Sequence, residues 1–238
     1  KELFILEKYR LSIVDIIDES PNTKTYILEK PETLTWDEGS HIHLALEDYD
    51  KDEVPNKALV RHMSIMSNWD ENKIAFTTRF VEPHSPFKEG LAHLTKGDHL
   101  KVFKVNSRMT LRREDRPLVL ISMGIGLATM RPLIHRFHKD STSIPMLVNM
   151  NVDAHEKALY QDEIEGLRND RLQLHWCKSR LELFNELDML NIESPIYYVV
   201  GSDLFLRTIL KRLKAKGVSK DAIVIDKKSH MLDLYYEF

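Results

Sequence analysis

Residues 123–129, Met-Gly-Ile-Gly-Leu-Ala-Thr, place two glycines one residue apart directly behind an apolar run, Leu118 to Ile121. A glycine between a strand and a helix tolerates a left-handed backbone and lets a bulky phosphate come close to the chain. The helix that follows offers unpaired amides and its positive end. Gly124 and Gly126 are therefore either a nucleotide-binding loop or a plain tight turn that opens a helix. The third glycine of the dinucleotide fingerprint would fall at position 129, which is threonine, so the full fingerprint is absent. Gly201-Ser202 repeats the arrangement behind a second apolar run, Ile196 to Val200. It marks the carboxyl edge of a parallel sheet, where open α/β folds bind ligands, or simply a loop with a helix N-cap.

Other chemistry is limited by what the chain lacks. Cys177 is the only cysteine, which excludes an intrachain disulfide framework and any iron-sulfur cluster needing four thiolates from this chain. No base can be assigned to it, so it reads as a small buried hydrophobe rather than a nucleophile. Among the eleven histidines, His41 and His43 share a strand face and His135 and His138 are three apart on a helix. Neither pair has a carboxylate or cysteine complement, and no metal site is expected. A net charge of −3 gives no reason to expect nucleic acid or an anionic membrane as the main partner. No run approaches the roughly eighteen apolar residues of a membrane span, and the first ten residues lack a signal peptide's apolar segment, so a cytoplasmic location is expected.

These residues need elements to hold them. With 238 residues, 42% of them hydrophobic, the chain can build one large domain or two ordinary ones. Its first half reads in short strands at 10–18, 23–30, 40–46, 58–66, 73–81 and 98–105, with alternation clearest in Ile42, Leu44, Leu46 and in Leu100, Val102. A short helix fits 86–94. Beyond Arg116 the rhythm becomes strand, helix, strand, helix: strands at 118–122, 145–151, 172–176, 196–200 and 222–226, helices near 128–139, 156–169 and 203–216. Ser202 can cap the last of these helices and Gly217 can end it. The charged stretch Arg112 to Arg116 reads as the junction. The expected architecture is a β-barrel domain over 1–112 and an α/β nucleotide-binding domain with a parallel sheet over 113–238.

The order of these features matters. A barrel first, then Arg61-His62-Met63-Ser64, the Met123 to Thr129 loop, and the Tyr197 to Asp203 region together resemble the ferredoxin-NADP reductase superfamily of flavoproteins, over essentially the whole chain. That resemblance implies a six-stranded antiparallel barrel carrying FAD, with FMN as the alternative, and a carboxyl-terminal domain receiving NAD(P)H.

The family's flavin motif is Arg-x-Tyr-Ser or Arg-x-Tyr-Thr. By resemblance Arg61 pairs with a flavin phosphate and Ser64 reaches the reactive edge near flavin N5, as the catalytic contact. Met63 replaces the ring-stacking tyrosine, with a thioether that can still pack on an aromatic surface. On bare sequence Arg61 reads equally as a surface strand residue and Met63 as core filler. Thr77, Thr78 and Arg79 are candidates for contacts along the isoalloxazine, and Ser85 for a phosphate contact. They read equally as strand residues and a helix cap.

On the nucleotide side the family's Gly-Gly-x-Gly-x-Thr-Pro is matched only at Gly124 and Gly126, with Met123 in place of the first glycine. Tyr197 to Ser202 resemble the family's Tyr-Tyr-Val-Cys-Gly-Pro region, matched at Gly201, with Val200 standing where many relatives carry cysteine and Ser202 where they carry proline. Lys178, Ser179 and Arg180 combine charge and donors suited to an adenosine 2'-phosphate, which favours NADPH over NADH. A ribose contact from Asp153 would point the other way. Terminal aromatics Tyr235, Tyr236 and Phe238 are candidates to cover a flavin face, or pack the tail on its own domain.

The function implied is an NAD(P)H-dependent flavin oxidoreductase passing electrons to an unidentified small-molecule or protein acceptor. The alternative is a flavin-binding sensor or partner-binding module with little NAD(P)H oxidation.

Overall fold

A computed structural model describes residues 7–228 and 230–237 of the chain. The described residues divide into two compact units, the first ending at Ser107 and the second beginning at Arg108. Among the described residues no helix is long and apolar enough to cross a membrane.

The first unit is built from β1 (Lys8–Ser20), β2 (Thr23–Leu28), β3 (Ser40–Leu46), β4 (Val60–Ser64), β5 (Ile74–Arg79) and β6 (His99–Ser107), with one helix, α1 (Pro86–Ala92). The strands form one antiparallel sheet in the order β4-β3-β6-β1-β2-β5. Its two edges are drawn together beyond β4, where the Met66 amide donates to the Ala75 carbonyl at 2.8 Å, giving the expected six-stranded barrel. Period-two alternation is what fills it: Ile42, Leu44, Leu100 and Val102 are all fully buried, joined by Phe76 stacked on Tyr26. Phe87 and Leu91 of α1 enter the same core, and the Tyr26 hydroxyl pins the helix by donating to the Leu91 carbonyl at 3.0 Å.

The second unit holds a parallel sheet of β7 (Leu118–Met123), β8 (Leu147–Val152), β9 (Leu172–Cys177), β10 (Ile196–Val200) and β11 (Ile223–Ile225), in the order β11-β10-β7-β8-β9. Its helices are α2 (Leu127–Lys139), α3 (Gln161–Glu165), α4 (Arg180–Met189), α5 (Asp203–Ala215) and α6 (Met231–Tyr236). Strands buried on both faces need successive apolar residues, and Leu118 to Ile121 of β7 supply them. Leu118 and Leu120 join Met130, Leu133 and Ile134 of α2, while Val119 and Ile121 join Leu183 of α4 and Leu206 and Ile209 of α5. Gly217, at φ +77°, ends α5.

Local expectations fail at three helices, one of them α6, which was not expected over Met231–Tyr236. The helix expected over 156–169 shrinks to the five residues of α3, because Asp153 turns the chain at His155 through its side chain and Arg168 and Asn169 fold back toward β9. The helix α4 was not expected, since its buried face is only Leu183 and Leu187, while Leu181 and Met189 are exposed.

Candidate functional site

In the first unit a cluster of cations forms around β4, β5 and α1. Arg61 is half-buried on β4, donating Nη1 to the Val60 carbonyl at 2.7 Å. Lys88, in the first turn of α1, donates Nζ to the Arg79 carbonyl at the end of β5. Burial, then the charges of Arg61 and Arg79, hold the Lys88 ammonium below its ordinary pKa. Arg79 Nε is buried with no hydrogen-bond partner. None of the three pairs with a carboxylate among the described residues. Three partly desolvated cations and an unmatched N–H converge with no counter-charge, an arrangement a phosphate or pyrophosphate would complete. The residues present therefore fit the phosphates of a flavin nucleotide.

Around that cluster the sequence-derived site residues fall as follows. Ser85 is the N-cap of α1, its Oγ accepting from the Lys88 amide at 3.4 Å. Ser64 lies opposite His41 in the β3–β4 register. Met63 is partly buried against the barrel core. Thr77 and Thr78 are buried on β5, and the Thr77 hydroxyl is bonded to that of Thr25 across to β2 at 2.6 Å. Sequence reasoning missed Lys88. The only signal for it was its place three residues after the capping serine.

In the second unit the carboxyl ends of β7, β8, β9 and β10 line one edge of the sheet. Gly124, at φ +52°, turns the chain out of β7 into α2, whose first amides no side chain caps. Gly126 is required by packing: a Cβ there would stand 3.2 Å from both Val200 Cγ1 and the Val200 carbonyl of β10. At Gly201 a Cβ would meet the Phe205 ring at 2.5 Å. Ser179 and Ser202 are the N-caps of α4 and α5, accepting from the Glu182 and Phe205 amides at 3.1 and 3.3 Å. Arg180 Nη2 reaches Met123 Sδ at 3.4 Å, so the β9 end and the glycine loop are in contact. Lys178 Nζ donates to the carbonyls of His155 and Glu156, tying β9 to the loop after β8. Asp153 is buried at that loop and holds the His155 amide and ring.

Each unit thus presents one nucleotide-type feature, a phosphate-complementary cluster on a six-stranded antiparallel barrel and a glycine turn at a parallel-sheet edge. The chain has the ferredoxin-NADP reductase fold. It superposes on the Malassezia yamatoensis flavohemoglobin with bound FAD and heme with a TM-score of 0.77 at 13% identity, covering 93% of this chain and 60% of that one. Against the Plasmodium falciparum ferredoxin-NADP+ reductase with 2'P-AMP the TM-score is 0.74 at 15% identity, covering 92% and 97%. Against the flavohem-like FAD/NAD binding domain of nitric oxide dioxygenase from Vibrio cholerae O1 biovar El Tor it is 0.70 at 16%, covering 91% and 96%. In sequence, a flavohemoprotein of Vibrio cholerae serotype O1 is 25% identical over 135 residues, 53% of this chain and 34% of that protein. The chain therefore spans about a third of the length of the curated relative it matches. No family model matches.

Within the ferredoxin-NADP reductase fold, the remaining reactive side chains are structural. Burial, then the nearby carboxylates of Glu186 and Glu182, pushes the Cys177 thiol up to about 12, which leaves it inert. Among the described residues no group of three His, Cys, Asp or Glu side chains is placed to hold a metal ion. The Tyr235 hydroxyl donates to Asp203 at 2.9 Å and that of Tyr236 to the Val218 carbonyl at 2.8 Å, so both rings pack on their own unit. Phe238 lies outside the described residues.

Proposed function

We propose that this chain is an NAD(P)H-dependent flavin oxidoreductase, cytoplasmic, which passes electrons to a separate acceptor. The observation that carries the reading is the Arg61, Arg79 and Lys88 cluster, whose unmatched charge and orphaned Arg79 Nε call for an anion on the barrel of this fold. Arg61 offers a guanidinium fork to a flavin phosphate, while Arg79 and Lys88 add charge. Ser64 presents its side chain at the end of β4 for the reactive edge of the ring, and Met63 a partly buried thioether on the opposite face of the strand. Thr77, its hydroxyl bonded to that of Thr25, and buried Thr78 would flank the ring from β5.

For the nicotinamide nucleotide, Gly124 and the uncapped amides of α2 supply donors for a pyrophosphate, and Gly126 keeps β10 close. Lys178, Ser179 and Arg180 favour the 2'-phosphate of NADPH over NADH. Gly201 and Ser202 shape the neighbouring edge at β10. FAD, when bound, supplies reversible hydride and single-electron chemistry; the chain's task is to bind and orient, and no side-chain base is needed for hydride transfer.

A second reading is favoured by one observation. Met123 stands where a first glycine would open the loop, and Arg180 lies on it. A chain so altered would keep flavin as a sensor or partner-binding module and use nicotinamide poorly. Anaerobic addition of NADPH or NADH to flavin-loaded protein separates the two. The first reading expects bleaching of the flavin bands, more readily with NADPH, whereas a flavin that stays oxidised with both nucleotides supports the second.

A further inference from the structure

The outer face of the barrel carries an apolar cluster separate from its core. Ala45, Tyr49 and Phe103 form it, with Leu59 and Val60 packed against them. Two short 3-10 turns, Glu47–Asp50 and Lys57–Leu59, flank a cavity of about 440 Å3 there. Its floor is aromatic: Tyr49 and Phe103 stack with centroids 5.5 Å apart and planes 17° apart. His43 continues the wall at 5.3 Å from Phe103, and His62 at 3.9 Å from His43.

The rim is positive. Lys57 and Lys104 border the cavity and are exposed, and neither pairs with a carboxylate among the described residues. Lys8 also borders it, but Asp50 already matches that charge at 3.0 Å. The His43 ring is tilted 48° from Phe103 and 38° from His62, so the wall is a faceted aromatic surface. Such a surface beside two unmatched ammonium groups is complementary to an aromatic ring system that carries a negative charge.

This cavity is distinct from the phosphate cluster. Arg61 and Met63 stand opposite Leu44 and Ile42, on the core side of β4, whereas His62 stands opposite His43 on the outer side. Ser64 shares the outer side, one two-residue repeat or about 7 Å along the strand from His62. His41, its partner in register, has its ring 6.1 Å from that of His62.

We infer that this cavity binds a planar aromatic anion of two or three fused rings. We further infer, resting on the flavin reading above, that the guest is the electron acceptor, a quinone bearing a sulfonate or carboxylate. Its rings would lie against Phe103 and His43, with Tyr49 behind them already covered by Lys8 and Lys101, its anionic group would meet Lys57 and Lys104, and its edge by His62 would point along β4 toward Ser64. In the exchange the reduced cofactor loses two electrons and two protons. The quinone gains both, its two C=O groups becoming C–OH.

Binding is tested first without any redox chemistry, by calorimetry of naphthalene-2-sulfonate on the protein as purified. Lys57→Gln with Lys104→Gln should weaken it about tenfold, while neutral naphthalene derivatives change little. Absence of binding, or binding indifferent to the two lysines, overturns the site. The acceptor role is tested by NADPH-driven reduction of anthraquinone-2-sulfonate, for which the double variant should raise KM about tenfold at unchanged kcat, with KM for neutral 1,4-benzoquinone unmoved. An unchanged KM for the sulfonate overturns the acceptor role. Failure of both quinones in wild-type protein whose flavin still bleaches with NADPH overturns the acceptor role but leaves the flavin reading and the binding site standing, whereas a flavin that stays oxidised with both nucleotides overturns the flavin reading itself.

Discussion

Arg180 Nη2 lies 3.4 Å from Met123 Sδ, across the turn from β7 into α2. A long, exposed cation resting on a thioether is held only weakly, yet it covers the ground over which a pyrophosphate would approach Gly124. Met123 has extended backbone, φ −127° and ψ 124°, which glycine adopts without strain. Met123→Gly should therefore clear the approach and release Arg180, tightening NADPH binding several-fold in a fluorescence titration. A weaker Kd in the variant would mean that the thioether holds Arg180 where the nucleotide needs it.

Lys88 gives a prediction with two signs. Burial and the charges of Arg61 and Arg79 oppose its proton, so in the absence of an anion the ammonium is a liability to the fold. Lys88→Met keeps the stem's packing and removes the charge. Flavin-free protein should gain thermal stability, while FAD affinity falls about tenfold or more, read from the recovery of free-flavin fluorescence. Arg61→Ala should weaken FAD retention likewise. Lower stability and unchanged FAD affinity in the lysine variant would remove the cluster from the phosphate site.

What was legible in the sequence follows from the range of the forces involved. Ile42 with Leu44, and Leu100 with Val102, expose their strands through alternation alone, and Leu118 to Ile121 marks a strand buried on both faces. Ser179 was read for its chemistry with phosphate, but Ser-x-x-Glu over 179–182 is also a helix-start signature, and the Ser179 hydroxyl in fact caps α4. Gly126 was read for close approach of a phosphate and Gly201 for its place at the sheet edge; packing adds a second reason for each, since a side chain there would meet Val200 or Phe205. No local pattern could have joined Lys88 to Arg79 and Arg61. That cluster exists only because α1 folds back over the end of β5, and charge convergence of this kind is a property of tertiary packing.

Glu163 sets an acid limit on the second unit. Burial pushes its carboxyl up, but the close contact of His135 at 3.1 Å and the hydrogen bonds and charge of Arg131 outweigh this and bring it down to about 2, from 4.5. Arg131 is itself 5% exposed, and its ring contact is Tyr160. Between the two pKa values the unfolded chain binds more protons, so stability rises with pH across that window. The contribution is complete above about 4.5 and is lost as pH falls through about 2. Glu163→Gln removes the carboxylate charge that faces the buried Arg131 guanidinium. Because the carboxylate side chain is 38% exposed, the cost is about 1–3 kcal/mol rather than that of a fully buried pair. Thermal unfolding should show a clear gap between wild type and variant near neutral pH that narrows toward pH 2. A gap independent of pH would assign the loss to packing alone.

Asn149 makes the opposite kind of prediction. It sits in the middle of β8, between Leu120 and Leu174 in register, fully buried, with neither Oδ1 nor Nδ2 bonded. Asn151, two residues on and on the same face, spends its Nδ2 on Ser122 Oγ at 2.8 Å. An unmatched amide in an apolar layer costs about 1–3 kcal/mol, and leucine has nearly the same volume. Asn149→Leu should therefore raise the Tm by a few degrees. Asn151→Leu should lower it, because it strips the buried Ser122 hydroxyl of its donor. The contrast between two asparagines on one strand face separates the effect of polarity from that of added apolar volume: if both variants fall, leucine is simply too large for this layer, and if Asn149→Leu alone falls, its amide is bonded to a buried water.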